Sequence, residues 1–445
     1  MSVVTESLFT NRKFLIVMIA LSITLLIDIS FVKINDLVNK YFIPMGGKLT
    51  LFSVNSSICL VLQFFVIKFA KNSIERRQFS INTKLRVFYM ISLVTIFVLA
   101  VLVGLLMFQQ FYFKYYQTMI NILIITTSYG TSAVMITWLA LLFLYWFKSS
   151  RDLVVLLYFV SMCLISFNII VTLLYVDAKL TDNQYLVGEY VGSSGDVSGG
   201  SHPLLNSLFR ISSLVSFFSI WMTTAILMNS YREKLIRSVM YWTILVLPLI
   251  YFIITYFYQF TLSPLLFSYF QKDPLTVSIV VSAILTLSKP IGGLLFAISF
   301  WNMSKIIGYE KRMRLSMAIA GWGIFFIFSA NQAATQIVVP YPPFGIATVT
   351  ILNMASFLLL IGIFNSATLV SANNNLRIFI HKQALKLLNP IGEAEMAKEV
   401  QKAVMKISKD MESSNISREE TFEFDQEELE KYLNEVIKIK KEQKH

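Results

Sequence analysis

Ten apolar runs, each long enough to cross a bilayer as a helix, follow one another along the first 373 residues, and this pattern leaves few folds open. They read Phe14 to Val32, Leu49 to Ile67, Val87 to Phe108, Met119 to Phe147 and Leu153 to Val176, then Leu208 to Met228, Val239 to Phe257, Leu275 to Trp301, Leu315 to Val338 and Phe344 to Ala372. A helix rising about 1.5 Å per residue needs roughly 17 to 25 residues to span hydrocarbon, and every run meets that length. A lone strand in lipid would leave its backbone donors and acceptors unpaired, so all ten are expected to be helices. The predicted fold class is all-α: a polytopic transmembrane helical bundle of about ten spans over residues 1–373, with a cytoplasmic helical C-terminal tail over 374–445.

Charge supports the same reading. Only 14% of the residues are charged, against about a quarter in soluble domains, so most side chains face something other than water. Near the run ends the cations fall in alternate loops: seventeen Lys and Arg on one side, among them Arg12, Lys13, Arg76, Arg77, Arg151, Arg232, Lys311 and Arg314, against six on the other, Lys33, Lys40, Lys48, Lys114, Lys179 and Lys272. Cytoplasmic loops carry the cation excess, which predicts a multi-pass protein of the cell membrane with both termini in the cytoplasm. Aromatic residues at both sets of ends, such as Tyr112, Tyr115 and Tyr116 on one side and Tyr145, Trp146 and Trp242 on the other, fit the two interfaces.

The net charge of +12 does not point to nucleic acid. Residues 1–373 carry 25 Lys and Arg against 12 Asp and Glu, whereas residues 374–445 carry 13 against 14, so the excess belongs to the loops near anionic headgroups. The lipid bilayer is the expected partner. Cys59 and Cys163 both lie inside runs and give no disulfide framework. Arg12 and Lys13 before the first run resemble the start of a signal peptide, but no small-residue cleavage site follows, so a retained anchor is expected.

Outside the runs, Asp177 to Asn206 is polar, rich in Gly and Ser, and reads as a mobile loop that is either a lid or a tolerated insertion. Beyond Ala372 charged residues return at helical spacing. Leu376 to Leu388 reads as an interfacial helix ended by Asn389 and Pro390, and a second helix is expected from Glu393 to about Met411. Farther on, Leu429, Tyr432, Leu433 and Val436 form an apolar stripe behind an Asp425 and Glu428 capping signal. Short amphipathic helices are marginal alone, so these must pack within the chain or on a cytoplasmic protein partner.

Chemistry-bearing residues inside the runs are few. Lys289 lies near the middle of the eighth run, where a charge is costly, and intramembrane ionisable groups mark functional sites by default. Ser278, Ser282, Lys289 and Gly293 share a helical face there, and Pro290 removes a backbone donor. A locally opened helix beside a buried cation would suit an anion or a substrate carbonyl; a Lys that simply snorkels is the other reading. Asp28 matches Lys289 in charge but lies at a different depth, so an interfacial or vestibule acid is expected. Ser212, Ser216, Ser219 and Thr223 form a hydroxyl stripe, as Asn331, Gln332 and Gln336 form an amide cluster, and both suit helix packing or a lined pathway.

His202, His381 and His445 all lie outside the runs, and the chain has no phosphate loop, HExxH or GxSxG. No catalytic residue, metal site or cofactor is therefore expected. The junction of membrane and tail, Asn373-Asn374-Asn375-Leu376-Arg377, then Leu388-Asn389-Pro390-Ile391-Gly392 and Tyr432-Leu433-Asn434-Glu435-Val436, resembles an uncharacterised family of multi-spanning membrane proteins of ammonia-oxidising archaea. That resemblance implies an archaeal cell membrane and transfers no functional residue. Two functions follow from the residues themselves: a membrane sensor or scaffold whose tail recruits a partner, and a secondary transporter or channel with Lys289 in its pathway. Neither specifies a small-molecule ligand.

Overall fold

The computed structural model describes residues 14–31, 44–75, 83–181, 186–188, 203–229, 238–257, 274–307, 310–334, 341–382 and 387–413. Each apolar run forms a helix: α1 (Phe14–Phe31), α2 (Met45–Glu75), α3 (Thr83–Phe113), α4 (Thr118–Ser150), α5 (Leu153–Thr181), α6 (Pro203–Asn229), α7 (Ser238–Tyr256), α8 (Pro274–Ile306), α9 (Lys311–Ala334) and α10 (Ile346–Ala372). Two more, α11 (Asn374–Lys382) and α12 (Leu388–Ser413), follow them. Eight helices, α1 to α6 with α9 and α10, are long and apolar enough among the described residues to cross a membrane.

The lipid-facing surface is legible in the exposed side chains. Val94, Phe97, Val101, Leu105 and Phe108 line one side of α3, and Phe97 is 68% exposed. Contiguous apolar surface of this extent is not kept in water by a soluble monomer. The architecture is that of an integral membrane protein.

Helix α10 is the axis of the bundle. It packs against α2, α3, α4 and α9 and leads into α11, and nearly every residue from Ile346 to Ser371 is buried. Its sequence explains that position, since apolar residues occupy all sides of the helix rather than one stripe, which is what an enclosed helix requires. Consecutive helices pack as neighbours around it: α2 on α3, α3 on α4, α4 on α5, α5 on α6, α7 on α8 and α8 on α9.

The α9/α10 crossing is close because both helices lack a Cβ at the contact. A Cβ on Gly323 would lie 2.5 Å from the backbone nitrogen of Leu359, and one on Gly362 would lie 2.7 Å from that of Ala320. Small residues that let backbones approach are the usual means of packing helices in lipid.

At one end of the bundle, β1 (Tyr115–Gln117) pairs antiparallel with β2 (Leu186–Gly188), with Tyr116 opposite Val187. Part of the segment expected as a mobile loop is thus strand, and α5 itself extends to Thr181. The chain divides into two compact units, Met1–Glu395 and Met396–His445. The first takes in α11 and the start of α12, where Leu376, Ile380, Leu387, Leu388 and Ile391 are buried. The second is described through Ser413, a helical stretch on which Val404 and Met405 are exposed. Asn389 and Pro390 do not end a helix, as the sequence suggests; they sit in the first turn of α12, where a missing backbone N–H costs nothing.

Candidate functional site

Lys289 sits near the middle of the 33-residue helix α8 and is 6% exposed. Among the described residues its ammonium has no hydrogen-bond partner, and it lies over the Phe209 ring of α6, 5.4 Å from Nζ to the centroid. Phe209 in turn stacks on Tyr175 of α5 with centroids 5.2 Å apart and planes 9° from parallel. Pro290 is buried inside the helix next to it. Ser282 lies on α8, but its side chain falls outside the described residues. Gly292 allows the close approach of α6 one turn on: a Cβ there would overlap the Phe217 ring at 2.2 Å.

Beside this cation runs a chain of polar side chains contributed by four helices. The Tyr129 hydroxyl of α4 donates to Asn331 Oδ1 of α9 at 3.3 Å, Asn331 Nδ2 donates to Asn168 Oδ1 of α5 at 2.7 Å, and Asn168 Nδ2 donates to Ser212 Oγ of α6 at 2.9 Å. Ser212 closes the chain by donating to the Phe209 carbonyl at 3.0 Å. The four links of the path therefore end at the residue whose ring meets Lys289. Two further hydroxyls of the α6 stripe serve its contact with α5, since Ser161 bonds both Ser219 and Thr223 at 2.9 Å, while Ser216 donates to the Ser213 carbonyl within α6 at 3.1 Å.

Asp28 is elsewhere and differently employed from the interfacial acid expected of it. It is fully buried, and Oδ2 accepts the Thr348 backbone N–H at 2.7 Å and the Thr348 hydroxyl at 2.8 Å. Thr348 lies in the first turn of α10, where unpaired N–H groups and the helix dipole favour an anion. Around the same end, Gln63 Nε2 of α2 donates to Thr350 Oγ1 at 2.8 Å and Ser128 of α4 donates to the Val349 carbonyl at 2.7 Å. Asp28 thus belongs to the fastening of α10, and Lys289 to the α5/α6/α8 sector.

A third polar locus ties α11 and the start of α12 to the bundle. Trp146 Nε1, near the end of α4, donates to Glu395 Oε2 at 2.9 Å, both residues being buried. Gly392 lies so close to Val370 of α10 that a Cβ would meet it at 2.2 Å. Glu393 accepts from Asn389 Nδ2 at 3.0 Å. Burial pushes its carboxyl above the ordinary carboxylate range, with Asp152 adding to the rise and Asn389, His381 and Arg377 opposing it. Leu429, Tyr432, Leu433 and Val436 lie outside the described residues.

Among the described residues no group of three or more His, Cys, Asp and Glu side chains is placed to hold a metal ion. The sequence singles out Ser212 in its hydroxyl stripe and Asn331 in its amide cluster, but not Tyr129 or Asn168, and not the connection between them, because the partners lie up to 202 positions apart. Compared with known proteins, the chain matches no family model, no curated protein and no solved structure.

Proposed function

We propose that the protein is a membrane sensor or scaffold with ten spans, whose C-terminal helical tail, on the cytoplasmic side, recruits a protein partner. The observation that carries this reading is the fastening of the tail's base to the bundle through Trp146 and Glu395. A tail held by the end of α4 and by α10 transmits a change in helix packing, whereas a tethered tail would not. The apolar stripe of Leu429, Tyr432, Leu433 and Val436 offers the partner an anchor set of the helix-in-groove kind. The alternating cations of the loops support the orientation, and the junction resemblance suggests an archaeal cell membrane as the host.

A secondary transporter or channel is the second reading, favoured by the buried ammonium of Lys289. The two separate in one pair of experiments. Proximity labelling in cells, comparing the full chain with one truncated after Ser413, is expected to lose a defined set of cytoplasmic neighbours on truncation. An unchanged set sinks the scaffold reading. Solute flux into liposomes that vanishes with Lys289→Met would install the transporter in its place.

A further inference from the structure

We propose that Lys289 is the charged floor of a buried site for a monoanionic oxyanion with an apolar body, its carboxylate or phosphodiester head meeting the ammonium and its body lying along Phe209 and Tyr175. The site stands apart from the reading of the tail.

An ammonium has three donors, and none of those on Lys289 is used. Helices α6, α7, α8, α9 and α10 contain no Asp or Glu at all. On α5 the single acid is Asp177, two residues beyond Tyr175 and only partly buried. Asp28 of α1 is engaged by Thr348. Among the described residues the ammonium therefore has no paired anion, although an unpaired charge is among the most costly things a buried site can hold. The Phe209 ring, at 5.4 Å, returns only part of that cost.

The amide and hydroxyl chain from Tyr129 through Asn331, Asn168 and Ser212 ends on the Phe209 carbonyl, fixing the turn of α6 that carries the ring. The same ring stacks on Tyr175. The buried ammonium beside the Phe209 ring selects one negative charge, and the apolar surroundings select an apolar remainder; the second cation near the ring pair, Lys179, is only partly buried and lies over Tyr175, 5.9 Å from Nζ to the centroid. Such a head can arrive on a small free acid or on a lipid, and the chemistry at Lys289 is the same for both.

The test is binding of butyrate to the purified full-length protein in phosphatidylcholine nanodiscs, with butyramide as its uncharged counterpart. Butyrate is expected to bind at least about tenfold more tightly than butyramide, the preference of a charged donor for a charged acceptor. Lys289→Met should abolish binding of butyrate, and Lys289→Arg should keep it within about tenfold. Equal affinity for the acid and the amide, no binding of either, or unchanged butyrate binding by Lys289→Met overturns the proposal. If the Met variant does not fold, the acid-to-amide ratio on the wild-type protein decides alone. A second set of nanodiscs containing phosphatidylglycerol identifies the source: a butyrate affinity at least about tenfold lower there, in the wild type and in Lys289→Arg alike, makes the occupant a lipid head, and an unchanged affinity makes it a free acid.

Discussion

The Asp28 carboxylate accepts both the backbone N–H and the hydroxyl of Thr348, at 2.7 and 2.8 Å, so the first span closes over the amino end of the central helix. Capping from a different helix is an unusual way to satisfy a helix start. It makes the fold of α10, the most enclosed element, depend on α1. Asp28→Ala leaves a buried N–H and a buried hydroxyl without an acceptor, and a loss of about 2–4 kcal/mol is expected. Asp28→Asn keeps an acceptor and should lose less. Thermal unfolding of the variants in detergent checks the order, and an Asp28→Ala midpoint equal to that of the wild type would show that the cap is not needed.

Glycine substitutions separate packing from helix propensity. At Gly323 and Gly362 an added methyl meets backbone atoms of the facing helix, which cannot move aside as a flexible side chain would. Alanine at either position is expected to cost about 1–3 kcal/mol. Nothing lies within 4 Å of a Cβ at Gly104 of α3. Gly104→Ala should therefore be neutral or stabilising by up to about 1 kcal/mol through helix propensity. Equal midpoints for all three variants would remove the close α9/α10 crossing from the account.

Glu393 gives the junction of bundle and tail a pH dependence whose sign can be worked out. Its folded carboxyl holds its proton more tightly than an unfolded one, chiefly because of burial. The contribution to stability is then fully present below the ordinary Glu range and is lost as pH rises through the raised value. Proteolysis at the start of α12 should increase as the pH is raised from about 4 to 7. Glu393→Gln, which carries no charge at any pH, should flatten that rise. A steeper dependence in the Gln variant would assign the effect to another group.

Helix positions were legible in the sequence because hydrocarbon imposes a length and a polarity on each span independently of the rest of the chain. Phe14 to Val32 reads as a span without knowing what it touches, and it forms α1. Lys289 was legible for the same reason, since its cost comes from depth alone. Pairings were not. Asp28 and Thr348 are 320 positions apart, and nothing in either run selects the other. The strand pair of Tyr115–Gln117 with Leu186–Gly188 was hidden because the second strand lies in a polar stretch whose composition, rich in Gly and Ser, argued for a loop, and the first lies among aromatic residues that suit an interface. Pro390 misled in the opposite sense: it reads as a helix breaker, but in a first turn it is a helix starter.

Asn168 and Asn331 provide the most discriminating test of how the α4/α5/α6/α9 sector is held. Each is buried, and each makes bonds in two directions: Asn168 accepts from Asn331 and donates to Ser212, while Asn331 accepts from Tyr129. Removing one member of such a chain is worse than removing two adjacent ones, because a buried partner stripped of its hydrogen bond bears its full desolvation cost. Asn168→Leu leaves the Asn331 amide without its acceptor, and a loss of about 1–3 kcal/mol is expected. Adding Asn331→Leu removes that stranded amide and replaces a polar contact with an apolar one. The double variant should thus be more stable than the sum of the two single losses, with a coupling of about 0.5–3 kcal/mol in a double-mutant cycle. Strict additivity would mean that the two amides do not act as a chain, and the ordering of the Phe209 turn beside Lys289 would then need another cause.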